Sequence, residues 1–330
     1  MAESLPLHLA ILGCGGVAVR HRRTLAKVDP SVRVSFASRD AERGREFARR
    51  HRGHTSWGSY AAAIDDPSVD AVLVATPPVS HLELTMAAIR AGKHVIVEKP
   101  AFLRATDVDL VTAAAIGAGR QVLVAENYYY KPLLGVLRGI LQSGDLGEIR
   151  FVLVHALKAS IRPGWRGNAD VAGGGALFEG GVHWLHLMAE LGLNVDSVQG
   201  FRPGSHEGLE RSTLVVLQYA GGAVGTLHHS WETPGRFRGL QTSRIAGTNG
   251  SVTFESNGLV VFVRGANRSR WVFPGLRDIE GYRAMFSDFL SALRGGPAAG
   301  MTLARARRDL ALVEAATNAT PWSPGFNAAP

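Results

Sequence analysis

The chain has 330 residues, of which 46% are hydrophobic and 19% are charged, as in an ordinary globular protein. Its net charge of +8 comes from arginines scattered along helix-like segments, which argues against a nucleic-acid surface. The single cysteine, Cys14, excludes an intrachain disulfide, and neither a signal-peptide pattern nor a membrane-length apolar run is present. We therefore expect a cytoplasmic protein that binds neither nucleic acid nor membrane.

Strand and helix patterns alternate with short connections along the first part of the chain. This alternation predicts an α/β fold that begins with a Rossmann domain, a doubly wound parallel sheet, over residues 1–126. Its predicted strands cover 7–12, 32–37, 70–75, 94–97 and 121–125. The predicted helices cover 17–28, 41–51, 81–91 and 106–117.

Strand patterns dominate after residue 127, with tight hairpin turns at Gly221-Gly222 and Asn257-Gly258. They predict a C-terminal α+β domain over 127–330 with a large, mostly antiparallel, open-faced sheet. The predicted strands cover 150–156, 195–201, 212–219, 223–230, 241–246, 251–255 and 259–264. The predicted helices cover 132–142, 176–191, 281–293 and 303–316.

A glycine-rich turn, Gly13-Cys14-Gly15-Gly16-Val17-Ala18, directly follows the first strand. It fits the pattern G-x-G-x-x-A, in which the first glycine permits a tight turn and the second lets the backbone approach a pyrophosphate. The amides at the start of the next helix favour that anion. The string alone would also suit a plain βα turn, but its strand–turn–helix setting favours dinucleotide binding.

The end of the second strand indicates which dinucleotide is bound. NAD enzymes usually place an acid there for the ribose 2′-hydroxyl, but this chain has Ser38 and Arg39, followed by Asp40 in a helix-capping position. Ser38 and Arg39, with Arg43 on the following helix, suit a 2′-phosphate. We expect NADP(H) to be preferred and NAD(H) to remain possible. The alternative is that Arg39 faces solvent and the acid lies elsewhere.

Two further strands end abruptly in polar residues and proline, at Thr76-Pro77 and at Glu98-Lys99-Pro100. The carboxyl ends of such strands open onto the ligand crevice of a doubly wound sheet. An ammonium at Lys99 could donate a hydrogen bond to a developing alkoxide, or take up a proton.

In their order and spacing, these strings resemble the glucose–fructose oxidoreductase, inositol dehydrogenase and MocA family (Gfo/Idh/MocA). The resemblance covers nearly the whole chain and continues through His81, 91–95, 144–149, Trp165-Arg166, and 173–177 leading to His183. It implies hydride transfer at a secondary alcohol or ketone of a sugar- or polyol-like substrate. It also implies association through the open sheet, as a homodimer or homotetramer.

The resemblance also implies catalytic roles. Lys99 would lie beside the nicotinamide, and His183 would be the general acid or base, with an ordinary pKa near working pH. Glu179 and His186 stand where the family has aspartates, and their i, i+4, i+3 spacing with His183 predicts one helix face. Glu179 is the third catalytic candidate, and His186 either faces the substrate or packs within the helix layer.

The remaining assignments complete the predicted site. Tyr128 could offer a hydroxyl to a polyol, or could simply be packed. The predicted cofactor-binding residues are Gly13, Cys14, Gly15, Gly16, Val17, Ser38, Arg39, Arg43, Thr76, Pro77, His81, Glu98, Lys99, Asn127, Trp165 and Arg166. The predicted substrate-binding residues are Lys99, Tyr128, Arg166, Glu179, His183 and His186.

Three other interpretations compete. A metal could bind Glu179, His183 and His186 with help from the histidines at 155, 228 and 229. No H-E-x-x-H string is present, and residues 228 and 229 alternate faces on a strand, so we expect no metal.

Some relatives oxidise transiently to cleave glycosidic bonds, and a cofactor-sensing regulator could share this fold. Lys99 and His183 together favour an enzyme.

Overall fold

The computed structural model describes residues 6–160, 164–204, 207–234, 240–266 and 268–318. The first sheet, as far as these residues show it, has six parallel strands in the spatial order β3-β2-β1-β4-β5-β6. The strands are β1 (His8–Leu12), β2 (Arg33–Ala37), β3 (Ser56–Trp57), β4 (Ala71–Val74), β5 (His94–Glu98) and β6 (Val122–Ala125).

Helices flank this sheet, as the alternation predicts. They are α1 (Gly16–Val28), α2 (Ala41–Arg50), α3 (Tyr60–Asp65), α4 (His81–Arg90) and α5 (Ala105–Ala118). All residues of β1 and β4 are buried, because helices cover both faces of the sheet. The strand order reverses between β1 and β4, and in such sheets the crevice at this reversal binds ligands.

The second sheet has eight strands within the described ranges, in the order β14-β13-β12-β11-β7-β10-β9-β8. Its neighbouring strands are antiparallel except β7 and β10, which run parallel. The strands are β7 (Ile149–Leu157), β8 (Val195–Phe201), β9 (Ser212–Tyr219), β10 (Val224–Ser230), β11 (Thr242–Gly247), β12 (Ser251–Glu255), β13 (Val261–Arg264) and β14 (Ser269–Val272).

One face of the second sheet is covered and the other is open. Val152, Val154 and Leu217 are buried on the covered face, whereas Phe151 and Trp271 lie 54% and 64% exposed on the open one. The remaining helices are α6 (Pro132–Gln142), α7 (Ala169–Ala172), α8 (Val182–Ala189), α9 (Tyr282–Leu293) and α10 (Leu303–Thr317). The expected Rossmann domain and open-faced sheet are therefore both confirmed.

The last two helices tie the two sheets together. Met285, Phe286 and Phe289 of α9 belong to the same buried cluster as Leu9 and Ile11 of β1. The neighbouring helix α10 packs against both α5 and β8. The chain thus returns to the Rossmann domain after residue 281, although the boundary between residues 126 and 127 stays a prediction.

The structure adds elements that the sequence pattern does not reveal. The two-residue strand β3 and the six-residue helix α3 are too short for a clear periodicity, and β14 alternates exposed and half-buried residues. The predicted helix over 176–191 begins instead as one π-helical turn, Leu177–Gly181, which continues into α8. π-Turns of this kind occur frequently at functional sites.

Candidate active site

A cavity of about 820 Å³ follows the carboxyl ends of the Rossmann strands and reaches the π-turn before α8. This volume is typical of a site for a cofactor and a small substrate. Most of the predicted site residues line it: Gly13, Cys14, Gly15, Gly16, Val17, Ser38, Arg39, Arg43, Thr76, Pro77, Glu98, Lys99, Trp165, Arg166, Glu179 and His183. A second, shallow depression of about 360 Å³ beside Arg244 and Arg264 contains no such set of groups.

The glycine turn fits the pyrophosphate of a dinucleotide. Gly13 has φ +116°, and a Cβ at this position would lie 2.7 Å from the carbonyl oxygen of Ala75. A Cβ at Gly15 or Gly16 would instead meet no atom within 4 Å, because these residues face open space. Gly15 caps α1 without a side-chain hydrogen bond, so the first amides of α1 are available to an anion.

These two kinds of glycine should respond differently to alanine. Gly13→Ala combines a left-handed φ with a backbone clash and should destabilise the protein by about 1–3 kcal/mol. Gly15→Ala should change the free energy of unfolding by less than about 0.5 kcal/mol but weaken cofactor binding, because the methyl group occupies the approach to the helix amides. Urea unfolding and calorimetric cofactor titration of both variants test this. Equal unfolding free energies in the two variants would contradict the assignment.

The tip of β2 presents cations to one end of the cavity. Arg39 lies beside the hydroxyl of Tyr60, and the guanidinium of Arg43 donates to the carbonyl oxygen of Cys14 at 3.1 Å. Asp40 caps α2, since its Oδ1 accepts from the amide of Arg43 at 3.1 Å. The amide of Asp40 also donates to Oγ of Ser38 at 3.2 Å. The first acidic residue after β2 is therefore used as a helix cap.

Lys99 connects the end of β5 to the π-turn. Its Nζ donates a hydrogen bond of 2.7 Å to the backbone carbonyl oxygen of Glu179. The side chain of Glu179 in turn accepts from Nε of Arg166 at 2.6 Å, and the Arg166 guanidinium lies 4.3 Å from the centre of the Trp165 ring. The ammonium is thus fixed at the cavity wall through Glu179, the residue that also binds Arg166.

His183 is oriented by a buried carboxylate. Its Nδ1 lies 2.6 Å from Oε1 of Glu126, which also accepts from the amide of Tyr128 at 2.9 Å. Burial opposes ionisation of Glu126, but the charge and hydrogen bond of His183 outweigh it and lower the pKa of Glu126 to about 2. Burial also lowers the pKa of His183, more than the neighbouring Glu126 raises it.

The pair therefore consists of an ionised Glu126 and a neutral His183 at neutral pH. Nδ1 carries the proton donated to Glu126, which leaves the lone pair of Nε2 as the acceptor of the ring. The imidazole also stacks on Tyr128, with ring centres 4.5 Å apart. A neutral imidazole held in one tautomer at a cavity wall is suited to accept a proton.

Four predicted site residues do not line the cavity. His81 is buried and bonds the carbonyl oxygens of Thr76, Pro100 and Ala101, and Asn127 donates to the carbonyl oxygen of Glu280. Tyr128 lies behind His183 as its stacking partner. His186 is fully buried, with Nδ1 2.6 Å from Asp309 of α10. We therefore no longer assign cofactor or substrate contacts to these residues.

The position of His186 corrects the expectation of one shared helix face. Glu179 lies in the π-turn and His183 at the start of α8, and both line the cavity. His186 lies where α8 packs against α10, and Asp309 raises its pKa although burial opposes protonation. Spacing along a helix fixes relative directions but does not show which neighbouring helix covers each direction.

Sequence reasoning missed Glu126, the partner of His183. It also missed several residues that line the cavity: Arg20, Asp40, Tyr60, Ala75, Pro78, Pro100, Gly180 and Tyr282. Glu126 carried a usable signal, because it follows β6 directly, as Lys99 follows β5. Tyr282 carried none, because it reaches the cavity only through the return of α9 to the Rossmann domain.

The described residues contain no group of three or more His, Cys, Asp or Glu side chains arranged to hold a metal ion. His228 is exposed beside His155 with ring centres 5.0 Å apart, whereas His229 is buried, so the two consecutive histidines do alternate. Within the described ranges, no helix is both long and apolar enough to cross a membrane.

Sequence comparisons identify the class of protein that this fold and cavity define. Residues 7–126 match the model of an oxidoreductase family with an NAD-binding Rossmann fold (GFO_IDH_MocA), and residues 136–253 match the GFO/IDH/MocA C-terminal domain. A similar relative is dTDP-3,4-didehydro-2,6-dideoxy-alpha-D-glucose 3-reductase of Saccharopolyspora spinosa. It is 34% identical over 239 residues, covering 68% of this chain and 70% of that protein. The chain belongs to the Gfo/Idh/MocA family.

The chain is also similar to three further proteins. A 1,5-anhydro-D-fructose reductase of Ensifer adhaerens is 31% identical over 231 residues, covering 66% of this chain and 67% of that protein. The structure of GenD2 from gentamicin A biosynthesis in complex with NAD matches with a TM-score of 0.80 at 25% identity, covering 96% and 95% of the two chains. Levoglucosan dehydrogenase with NADH and levoglucosan shares the fold, with a TM-score of 0.82 at 22% identity and coverage of 94% and 96%.

Proposed function

We propose that this protein transfers hydride between a nicotinamide cofactor, preferably NADP(H), and a secondary alcohol or ketone of a sugar- or polyol-like substrate. The observation that carries the proposal is the meeting of three features in one cavity: the glycine turn, Lys99, and the neutral His183 held by Glu126. The relatives named as reductases of sugar derivatives support the substrate class.

The proton-transfer chemistry follows from the side chains. In the oxidation direction, Nε2 of His183 accepts the proton of the substrate hydroxyl, and the Lys99 ammonium donates a hydrogen bond to the same oxygen. A nicotinamide bound along the glycine turn would supply the acceptor for the hydride that leaves the carbon. The Glu126 carboxylate stabilises the imidazolium that results. Reduction reverses these steps.

The cavity wall around Glu179, next to Lys99, suits a carbohydrate. Glu179 has one carboxylate oxygen engaged with Arg166, and its second oxygen can accept a hydrogen bond from a hydroxyl. Trp165 adds an aromatic surface beside the guanidinium. A test is a panel of sugars, polyols and keto-sugars with both cofactors, followed by the absorbance of reduced nicotinamide. Cofactor-dependent turnover of at least one member is expected, and turnover of none would overturn the substrate class.

Cofactor choice should depend on Arg39. The carboxylate of Asp40 is engaged as a helix cap, whereas Arg39 lines the cavity as a cation for a 2′-phosphate. A charge-assisted hydrogen bond there contributes about 1.5–3 kcal/mol, so NADP(H) should bind at least about tenfold more tightly than NAD(H). Arg39→Ala should remove most of this difference in calorimetric titrations.

The control is Arg45→Ala on the same helix. Arg45 pairs with Glu42 on the exposed face of α2 and does not line the cavity, so this variant should keep the wild-type preference. Equal affinities of the wild type for the two cofactors, or a preference for NAD(H), would contradict the assignment.

We also propose that a second copy of this chain binds to the open face of the second sheet. Phe151 and Trp271 lie exposed on that face, and Phe201 on β8 is 37% exposed there. Exposed aromatic surface of this kind is typical of protein interfaces.

A further inference from the structure

The carboxylate of Glu98 lies at the edge of the cavity and is bound by buried groups of the protein. Glu98 ends β5 and is 7% exposed. Its Oε1 lies 2.5 Å from Nε2 of His21, and its Oε2 accepts from the amide of Lys99 at 3.0 Å. Burial opposes ionisation, but the His21 hydrogen bond and the neighbouring charges outweigh it and lower the pKa of Glu98. The carboxylate is therefore negative at neutral pH.

Among the described residues, the only side-chain hydrogen bond of His21, on α1, is to this carboxylate. Its side chain is fully buried, and Nδ1 has no hydrogen-bond partner among the described residues. The ring meets Phe286 and Tyr282 edge-on, with ring centres 5.2 Å and 5.9 Å away. His21 therefore holds the Glu98 carboxylate through its Nε2 nitrogen.

The position of Glu98 along the cavity indicates what it faces. In the sheet, β4 lies between β1 and β5, and neighbouring strands are about 4.8 Å apart, so Glu98 lies roughly 10 Å from the glycine turn. It lies on the side of the turn that leads to Lys99 and His183. In the proposed function, the nicotinamide ring occupies this part of the cavity. That ring is positively charged when oxidised and neutral when reduced.

We propose that Glu98, positioned by His21, sets the oxidation-state preference of the bound cofactor by stabilising the positively charged oxidised ring relative to the neutral reduced ring. This inference rests on the proposed function and deepens it. The inference predicts which direction of the reaction the site favours. A site that favours the oxidised ring makes the reduced ring a stronger hydride donor, which favours reduction of a carbonyl. The hydride would then carry both electrons to the carbonyl carbon, and His183, which takes up a proton from solvent at Nε2 before this step, would deliver that proton to the oxygen.

The test compares the affinities for the oxidised and reduced forms of NADP and NAD by calorimetric titration. The measured quantity is the ratio of the dissociation constant of the reduced form to that of the oxidised form. In Glu98→Gln this ratio should fall about tenfold, because a unit negative charge at the edge of the cavity is removed. His21→Phe keeps the aromatic packing but removes the donor to Glu98, and should lower the ratio by a smaller factor.

The control is Glu148→Gln, which removes the same charge from an exposed position outside the cavity and should leave the ratio unchanged. Equal weakening of both oxidation states in Glu98→Gln would overturn the inference and leave the proposed function intact. Failure of the wild type to bind either form would overturn the proposed function as well. If Glu98→Gln does not fold, His21→Phe decides, and an unchanged ratio in that folded variant overturns the inference.

Discussion

Lys99→Met should reduce kcat by about two orders of magnitude or more while cofactor affinity stays within a few fold of wild type. The substitution removes the ammonium that donates to the reacting oxygen, together with its 2.7 Å hydrogen bond to Glu179. It leaves the glycine turn and the β2 tip unchanged. Steady-state kinetics and calorimetric cofactor titration on the same preparation separate the chemical step from binding.

The matched control for this variant is Lys27→Met. Lys27 lies in the last turn of α1 and does not line the cavity, so its replacement should leave kcat unchanged. A kcat of Lys99→Met comparable with wild type would show that Lys99 takes no part in proton transfer. A large loss of cofactor affinity instead would assign Lys99 to binding.

His183→Ala should produce a loss of similar size, with a distinctive pH dependence. In alcohol oxidation the imidazole must be neutral to accept the proton, so the wild-type rate should fall as pH drops through the pKa of His183. Because burial lowers that pKa below its ordinary value, activity should persist to more acidic pH than a free histidine would allow. The alanine variant should lack this limb of the pH–rate profile.

Glu126→Gln gives an independent check of the same pair. The carboxylate raises the pKa of His183, so its removal should move the acidic limb to still lower pH and reduce kcat. A structural role alone would not move the limb. An unchanged profile in both His183→Ala and Glu126→Gln would transfer the role of base to Lys99 or Glu179.

Much of the fold could be predicted because its long elements have clear periodicities. The buried strands of the Rossmann sheet read as apolar runs, and the hairpin glycines Gly222 and Gly258 do adopt positive φ. The π-turn at Leu177–Gly181 could not be predicted, because its side chains fit an α-helix equally well. The features of the fold that the sequence pattern does not reveal depend on contacts between distant segments.

In the site, too, some residues could be predicted from the sequence and others could not. Residues at the carboxyl ends of strands, such as Thr76 and Lys99, could be placed because parallel strands bring those ends to one edge. His186 could not be placed, because only the packing of α10 shows that its ring meets Asp309 instead of the cavity. The orientation of His183 likewise depends on Glu126, 57 residues earlier in the chain.

The most direct test of hydride transfer is the stoichiometry between substrate consumed and nicotinamide reduced. Using any sugar or polyol that the wild type oxidises, product and reduced cofactor would be measured in the same reaction. We predict one reduced nicotinamide for each secondary alcohol converted to a ketone, with both signals lost together in Lys99→Met and His183→Ala. Glycosidic cleavage without net accumulation of reduced cofactor would contradict this and indicate transient oxidation instead.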